Sequence, residues 1–405
     1  MAERVSITGI GVVSPIGVGK EAFLQSLREG KSGIEEIQIF DTGFSRSKKG
    51  AMVASFNPKD FIAPGKIRRL DRASQFALSA SRMALSDSGF TVTPEKAHRV
   101  GIALGAGFSG LWSSETFHRS QVLKGFLDLN PMIFPNTVPN APAGHVSIEL
   151  GIQGVNCTLV QSYCTAEAAV LFACDQLRAG RADFMLTGGV DELSEALFRG
   201  FSSLRLLAAD RGEGEACRPY DLRRNGIILG EGCGILAIET EEHARRRGAE
   251  IYGTILDGNL IGQSRKENGT EGLIRSVRSV WRGKENRSPD YLSGAGNSSK
   301  SLDALEAAGM KAMFPDRYGQ IPVSSIKSMT GEAIASGGIR LVADVLSLVN
   351  QFIPPTVNYT TPDPDCDLSY VTGRSSSRRI ETLLHLGISP GRCVSSILIG
   401  APWIS

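Results

Sequence analysis

Cys164 is the residue whose type and position best suit nucleophilic chemistry. A short apolar run ends at the polar pair Gln161 and Ser162, and strong helix formers follow from Thr165. A cysteine at the start of a helix meets free backbone N–H groups and the positive end of the helix dipole, which favour the nucleophilic thiolate. Cysteine is also a common small apolar core residue, which is what we expect of Cys174. The local sequence leaves both interpretations of Cys164 open.

Residues that commonly assist a thiol or bind metals are sparse. The five histidines lie at positions 98, 118, 145, 243 and 385, and the seven cysteines lie at 157, 164, 174, 217, 233, 366 and 393. No two cysteines have CxxC spacing, so we predict neither a disulfide framework nor a zinc site and expect no metal. This cysteine usage is typical of a reducing cytoplasm, which is the predicted location.

The elements that must position Cys164 alternate between strand and helix along the whole chain. Short apolar runs rich in β-branched residues predict strands at 5–10, 100–104, 157–160, 184–186 and 234–238. The stretches 74–88 and 165–178 predict helices, and Gly89 is suited to end the first. The second half repeats the pattern at 251–256, 323–326, 341–348 and 393–399. This alternation predicts an α/β fold whose sheets are covered on both faces.

Length and charge argue against several classes of protein. With 405 residues, of which 41% are hydrophobic and 21% charged, the chain is long enough for two sub-domains around a large core. The formal net charge is +2, so no global field favours nucleic acid or a membrane surface. No segment approaches the roughly 18 apolar residues that span a bilayer, and the N-terminus shows no signal-peptide pattern. We therefore expect no membrane and no nucleic-acid partner.

Sequence blocks at 5–17, 71–78, 104–111, 143–151, 181–192 and 217–232 follow one another in a fixed order. They resemble the β-ketoacyl-acyl carrier protein synthases, or condensing enzymes, essentially from end to end. The resemblance implies an α/β, thiolase-like fold, with two similar α/β halves in a five-layer arrangement and usually a dimer. We expect the cysteine-bearing half to span 1–250 and the second half 251–405. It also implies that Cys164 accepts an acyl group carried on the phosphopantetheine of acyl carrier protein, with no other cofactor.

The sequence departs from that family at both catalytic histidines. Family members carry one histidine in an Asn-Ala-His-Gly-Thr-Ser-Thr block, where this chain has Ala295. The second histidine follows Lys-Ser-Met-Thr-Gly, which is intact here from Lys327 but is followed by Glu332. Lys327, Asp303 and Glu306 match the supporting lysine and acidic positions of the family. The resemblance thus implies that the frame of the site is kept and its histidines are lost.

The lost histidines matter because condensation removes the malonyl carboxylate and builds negative charge on the thioester oxygen. Removing one donor that stabilises such charge typically costs roughly 10²–10³ in rate. Ala295 donates nothing and an ionised Glu332 would repel the malonyl group, whereas a protonated Glu332 could still donate. We also expect repulsion from Glu332 to oppose the helix terminus and raise the pKa of Cys164.

Two further sets of residues are assigned by the resemblance. The family's gating phenylalanine lies in a Gly-Phe-Gly-Gly-Thr-Asn loop near the C-terminus, where Ile399 is the predicted stand-in. Basic residues match the positions at which the family docks the acidic acyl carrier protein, namely Lys66, Arg68, Arg69 and Arg205. A local basic patch steers an acidic partner, although such a charge run is also common on ordinary solvated surfaces.

A condensing-enzyme relative without the histidines most resembles the chain-length-factor subunits of type II polyketide and polyene systems. Those subunits form a heterodimer with an active ketosynthase and help shape its acyl tunnel. Most of them replace the cysteine, often with glutamine, whereas this chain keeps Cys164. Two alternatives therefore stay open. One is an acyltransferase or acyl-hydrolase that uses Cys164 on acyl carrier protein thioesters, and the other is an active synthase with an unusual site.

Overall fold

The computed structural model describes residues 3–264, 267, 269–284 and 287–403. The strands of the first half are β1 Val5–Ser14, β2 Gly17–Val18, β3 Ile34–Glu36, β4 Lys49–Ala51, β5 Val100–Ala106, β6 Asn156–Leu159, β7 Phe184–Asp191 and β8 Gly232–Thr240. Those of the second half are β9 Gly253–Gly262, β10 Tyr291–Ser293, β11 Pro322–Ser324, β12 Phe352–Ile353, β13 Ser369–Tyr370, β14 Ser376–Ser377, β15 Thr382–Ser389 and β16 Cys393–Gly400.

The helices separate these strands in the alternation that the sequence predicts. They are α1 Lys20–Glu29, α2 Pro64–Ile67, α3 Arg72–Asp87, α4 Leu111–Lys124, α5 Ala141–Leu150, α6 Thr165–Arg178, α7 Glu195–Ser203, α8 Glu241–Arg246, α9 Gly269–Val280, α10 Lys300–Met313, α11 Lys327–Thr330 and α12 Gly337–Asn350. In the described ranges no helix is long and apolar enough to cross a membrane.

The two halves repeat one strand topology. The first half has the order β6-β5-β7-β8-β1, in which the first three strands are parallel and β8 is antiparallel to both of its neighbours. The second half has the order β11-β10-β15-β16-β9 with the same directions. A short antiparallel pairing of β1 with β9 joins them. The prediction of two similar α/β halves is confirmed, while the boundary at 250, between α8 and β9, stays a prediction.

The middle layer consists of α6 and α12. Helix α6 packs on β5 and β7 of the first half and on β9 and β16 of the second, and α12 packs on β7, β8 and β15. Helices α3 and α5 cover the outer face of the first half, and α9 and α10 cover the second. The layers therefore alternate helix, sheet, helix, sheet, helix, as predicted. Because β1 has α3 on one face and α12 on the other, all ten of its residues are buried, which explains its continuous apolar run.

Candidate active site

Cys164 lies at the junction that the sequence predicts. Strand β6 is followed by a single 3₁₀ turn that includes Ser162 and Cys164, and α6 begins at Thr165. The hydroxyl of Thr165 donates to the Leu159 carbonyl at 2.7 Å and accepts from the Gln161 N–H at 2.8 Å, which holds the turn closed. The Cys164 side chain is fully buried at the N-terminus of a central helix.

The surroundings of Cys164 do not favour the thiolate. A hydrogen bond with the Cys393 side chain, burial and the charge of Glu167 together raise the pKa of Cys164 well above its ordinary value. The prediction that Glu332 supplies the repelling charge is wrong. The carboxylate whose charge raises the pKa of Cys164 is that of Glu167, three residues along the chain.

Ala295, at the predicted position of the family's first histidine, has no side-chain hydrogen-bond donor. Ala295 is fully buried, and its backbone N–H donates to Glu306 Oε1 at 2.7 Å. The other oxygen of Glu306 accepts from the Tyr220 hydroxyl at 2.7 Å. Burial raises the pKa of Glu306, although these two hydrogen bonds oppose the shift. Glu306 therefore supports the backbone at 295, where only a methyl group faces its surroundings.

Glu332, at the predicted position of the family's second histidine, has a carboxylate that accepts three hydrogen bonds from neighbouring side chains. Glu332 Oε2 accepts from Lys327 Nζ and from Asn297 Nδ2, each at 2.7 Å, and Oε1 accepts from Ser336 Oγ at 2.9 Å. Glu332 is 1% exposed and Lys327 is 3% exposed. Both oxygens of Glu332 therefore accept hydrogen bonds from side chains of its own chain. The alternative in which a protonated Glu332 donates to a substrate stays a hypothesis.

The sequence-predicted site residues form one buried group around this carboxylate. Asn297 lies two residues after Ala295 and bonds Glu332, while its backbone N–H donates to Asp303 at 2.9 Å. Burial raises the pKa of Asp303 to about 7. Burial and the charge of Glu332 also raise the pKa of Tyr163, the residue before Cys164. The structure therefore brings together the positions at 164, 295, 303, 306, 327 and 332.

A second ionic cluster in the core was not predicted from the sequence. His385 Nδ1 lies 2.6 Å from Asp344, and its Nε2 lies 3.0 Å from Glu167 Oε1. Both ring nitrogens of His385 thus lie within hydrogen-bond distance of a carboxylate. Burial opposes ionisation of Glu167, but the hydrogen bond from His385 and the charges of His385 and Arg340 hold its pKa below the usual range. Each of its four ionisable residues stands in an apolar stretch of the sequence, and this could have revealed the cluster, because a buried charge needs a partner. They are Glu167, Arg340, Asp344 and His385.

The gate assignment is wrong. Ile399 is 1% exposed in the core and is paired with Leu383 on β15. Six residues separate it from Cys393 along β16, which is roughly 20 Å at about 3.3 Å per residue. The segment beside the thiol is instead the β15–β16 turn, because Cys164 Sγ lies 3.6 Å from the Cys393 carbonyl oxygen and the hydroxyls of Ser389 and Ser162 are 3.2 Å apart. The pairing of β16 with β15 fixes this register and places Ile399 at the other end.

Comparison with known proteins identifies the frame around this site. The model of the β-ketoacyl synthase N-terminal domain matches residues 2–244, and that of the C-terminal domain matches residues 259–360. The chain belongs to the β-ketoacyl synthase family. It is 34% identical over 390 residues to the 3-oxoacyl-[acyl-carrier-protein] synthase 2 of Coxiella burnetii, with 94% of both chains covered.

Solved structures of ketosynthases show the same fold. "The ishigamide ketosynthase/chain length factor" superposes with a TM-score of 0.91 at 27% identity, covering 99% of this chain and 100% of that one. A second structure, of the type II polyketide synthase acyl carrier protein of AntDE:AntF in complex with its ketosynthase bound to the hexaketide, has a TM-score of 0.89 at 28% identity, with coverage of 99% and 100%. The thiolase-like fold expected of a ketosynthase is confirmed.

The residues that would dock a carrier protein on this ketosynthase-family chain are exposed. Lys66 on α2 forms an ion pair with Glu149 at 2.6 Å, and Arg68 and Arg69 follow it in the connection to α3. Arg205 lies just after α7 with a left-handed φ of 56°. Their exposure is compatible with docking, and their role stays a prediction.

Proposed function

We propose that this chain is a non-condensing subunit of the chain-length-factor type, which pairs with an active ketosynthase in type II polyketide or fatty-acid-like elongation on acyl carrier protein. The observation that carries the proposal is the pair of replaced histidines. Ala295 presents only a methyl group, and Glu332 is a carboxylate whose oxygens are already bound by Lys327, Asn297 and Ser336.

This chemistry opposes decarboxylation. The reaction places negative charge on the thioester oxygen and on the enolate that forms, and an active site must meet that charge with preorganised donors. The donors around Glu332 point at its own carboxylate. A raised pKa at Cys164 further weakens its attack on an acyl thioester, because the thiolate is the nucleophile. Both observations support the non-condensing proposal over the alternative of an active synthase.

An exposed surface supports the proposed partner. Strand β6 lies at the end of the strand order, so its outer edge offers unpaired backbone groups. Val160 follows β6 and Ile148 lies on α5, which packs on β6, and these side chains are 59% and 77% exposed. Seven more large apolar side chains between residues 122 and 138 are exposed by 44% to 100%, namely Val122, Leu123, Phe126, Leu127, Met132, Phe134 and Val138. A sheet edge bordered by an apolar patch of this kind is typical of an interface. The partner that we propose is a ketosynthase, as in the solved ketosynthase/chain length factor to which this chain is similar.

Carrier protein docking is proposed on similar grounds. Arg205 is exposed between Leu204 and Leu206, which are 69% and 47% exposed. Apolar side chains beside a cation suit an acidic helical partner, since the charge steers the encounter and the apolar contacts hold the complex. The AntDE:AntF complex shows a ketosynthase of the same fold with its carrier protein.

The test uses the chain alone and in a reconstituted complex with an active ketosynthase that carries the catalytic cysteine and both histidines. Malonyl-loaded carrier protein with the chain alone should release no carbon dioxide. In the complex, Cys164→Ala should leave product formation within a few-fold of wild type, whereas alanine at the partner's catalytic cysteine should abolish it. Cys174→Ala, a buried cysteine in the same helix, is the matched control. Turnover of about 1 s⁻¹ by the chain alone would show an active synthase.

The retained Cys164 keeps the acyltransferase alternative testable in the same preparation. Intact-mass measurement after incubation with an acyl-loaded carrier protein reports whether the chain becomes acylated. Under our proposal acylation is slow or absent. Rapid acylation that disappears in Cys164→Ala would establish acyl transfer or hydrolysis instead.

A further inference from the structure

Two cysteines meet where the N-terminus of α6 faces the start of β16. Cys164 Sγ donates to the Cys393 carbonyl oxygen at 3.6 Å, and each of the two thiols shifts the pKa of the other. The residues are 229 positions apart in sequence, so the fold alone creates this contact. Neither the condensing reaction nor the proposed partner role uses Cys393.

The surroundings of Cys393 stabilise a sulfur that carries negative charge. Gln161 Nε2 donates to its Sγ at 4.0 Å, and the Cys164 thiol donates to the carbonyl oxygen of the same residue. The hydrogen bond from Cys164 and that from Gln161 hold the pKa of Cys393 below its ordinary value, although burial opposes them. The more acidic thiol of the pair is therefore Cys393, and Cys164 remains protonated beside it.

The pair lies close to solvent although both side chains are buried. Cys393 is 7% exposed, and its neighbour Arg392 is exposed, as are Gln161 and Ser162 before Cys164. The β15–β16 turn is therefore the side from which a small oxidant would approach the sulfur. A disulfide joins residues whose Cα atoms lie about 4.4–6.8 Å apart, and a disulfide between Cys164 and Cys393 requires that separation.

We propose that Cys164 and Cys393 are a redox-active dithiol that hydrogen peroxide closes into a disulfide. The Cys393 thiolate attacks the peroxide, the O–O bond breaks, and a sulfenic acid forms with release of hydroxide. The Cys164 sulfur then attacks the sulfenic sulfur, the S–O bond breaks, and the S–S bond forms. The departing hydroxide takes the Cys164 proton. In total, two thiols and one peroxide yield one disulfide and two waters, and a dithiol reductant reverses the change.

Closing this bond would occupy the acyl-accepting sulfur and tie the β15–β16 turn to α6. The oxidised chain could then form no thioester at Cys164, whatever its role in elongation. The proposal does not rest on the partner-subunit function, since it requires only the two thiols and their contact.

Peptide mapping of the wild-type folded chain tests the proposal without a variant. After brief treatment with hydrogen peroxide, remaining thiols are alkylated, the protein is digested without reduction, and the peptides are identified by mass spectrometry. We expect a peptide that links Cys164 to Cys393 and has lost two hydrogens, and we expect a dithiol reductant to remove it. Failure to find this peptide, at peroxide concentrations that fully oxidise a free thiol, overturns the proposal.

Variants separate the two steps. In Cys164→Ser the sulfenic acid at Cys393 has no partner, so trapping by dimedone should rise several-fold over wild type. In Cys174→Ser, the matched control in α6, the linked peptide should form as in wild type. Circular dichroism confirms that each variant is folded. Equal dimedone trapping in wild type and Cys164→Ser would show that Cys164 does not resolve the sulfenic acid.

Discussion

Lys327 Nζ lies 2.7 Å from Glu332 Oε2, and the two side chains are only 4% and 1% exposed. Glu332 follows the intact Lys-Ser-Met-Thr-Gly run and stands at the predicted position of the family's second histidine. The ammonium is satisfied by the carboxylate of its own chain rather than by a substrate. At this position the chain has an internal ion pair in place of the histidine donor that the resemblance predicts.

Removing the cation should destabilise the protein. Lys327→Met leaves Glu332 buried with only neutral donors, and breaking a buried pair in this way typically costs about 3–5 kcal/mol. We expect a loss of that order in the free energy of unfolding from urea titration. The double variant Lys327→Met/Glu332→Met should lose less than the single variant. Lys31→Met, at an exposed lysine, is the control, and equal losses at both lysines would contradict the prediction.

Restoring the histidines should not restore condensation. Ala295→His/Glu332→His supplies two rings, but it removes the carboxylate that neutralises Lys327 and forces a ring into a fully buried methyl site. Because catalytic groups act as a unit, restoring some of them does not restore a proportionate share of the activity. We expect no measurable carbon dioxide from malonyl-loaded carrier protein and lower stability than wild type. Turnover near the usual enzyme range of about 1 s⁻¹ would contradict this expectation.

Glu192 gives a prediction for pH. Burial and the charge of Asp71 raise the pKa of Glu192 to about 8, and Oδ2 of Asp71 accepts no hydrogen bond from the described part of the chain. The folded state keeps this proton to a higher pH than an unfolded glutamate, whose pKa is about 4.3. The stabilisation by the bound proton is therefore complete below about pH 4 and is lost as pH rises toward about 8.

Glu192→Gln should remove that pH dependence. Glutamine does not titrate and carries no charge to repel Asp71, and its single amide oxygen keeps one of the two backbone N–H contacts that Glu192 accepts, from Ala73 and Trp112. The variant's free energy of unfolding should therefore exceed that of wild type at about pH 8, and the difference should shrink toward about pH 5. Urea titrations at both pH values measure it, with the exposed Glu35→Gln as control. A difference that is the same at both pH values would exclude titration of Glu192 as its cause.

Charge reversal at the predicted docking surface should weaken carrier binding. Arg69→Glu places a negative charge where an acidic partner approaches, so the dissociation constant should rise about tenfold or more at low salt and the effect should shrink with added salt. Arg317→Glu, an exposed arginine of the second half, changes the net charge equally and serves as control. Equal effects of the two variants in a binding titration would assign the change to net charge rather than to a docking site.

Features that depend on neighbouring residues were predictable from the sequence. Helix α6 was predicted with both of its bounds, because the polar residues before Cys164 and the helix formers after it mark the boundary locally. Helix α3 begins two residues earlier than predicted, where Asp71 caps the N–H of Ser74. The three-residue strand β10 was missed, since so short a run shows no period.

Features that depend on distant residues were decided by tertiary structure. Glu167 and His385 are 218 positions apart and meet only because α6 packs between the two sheets. Ile399 was misplaced because the register of β16 is set by pairing with β15 and β9, which local pattern does not encode. Local sequence therefore defined the cysteine, the helix that presents it and the absent histidines. The charges that act on that cysteine, and the second thiol beside it, follow from burial and long-range packing, because electrostatic and sulfur chemistry depend on distance in space rather than along the chain.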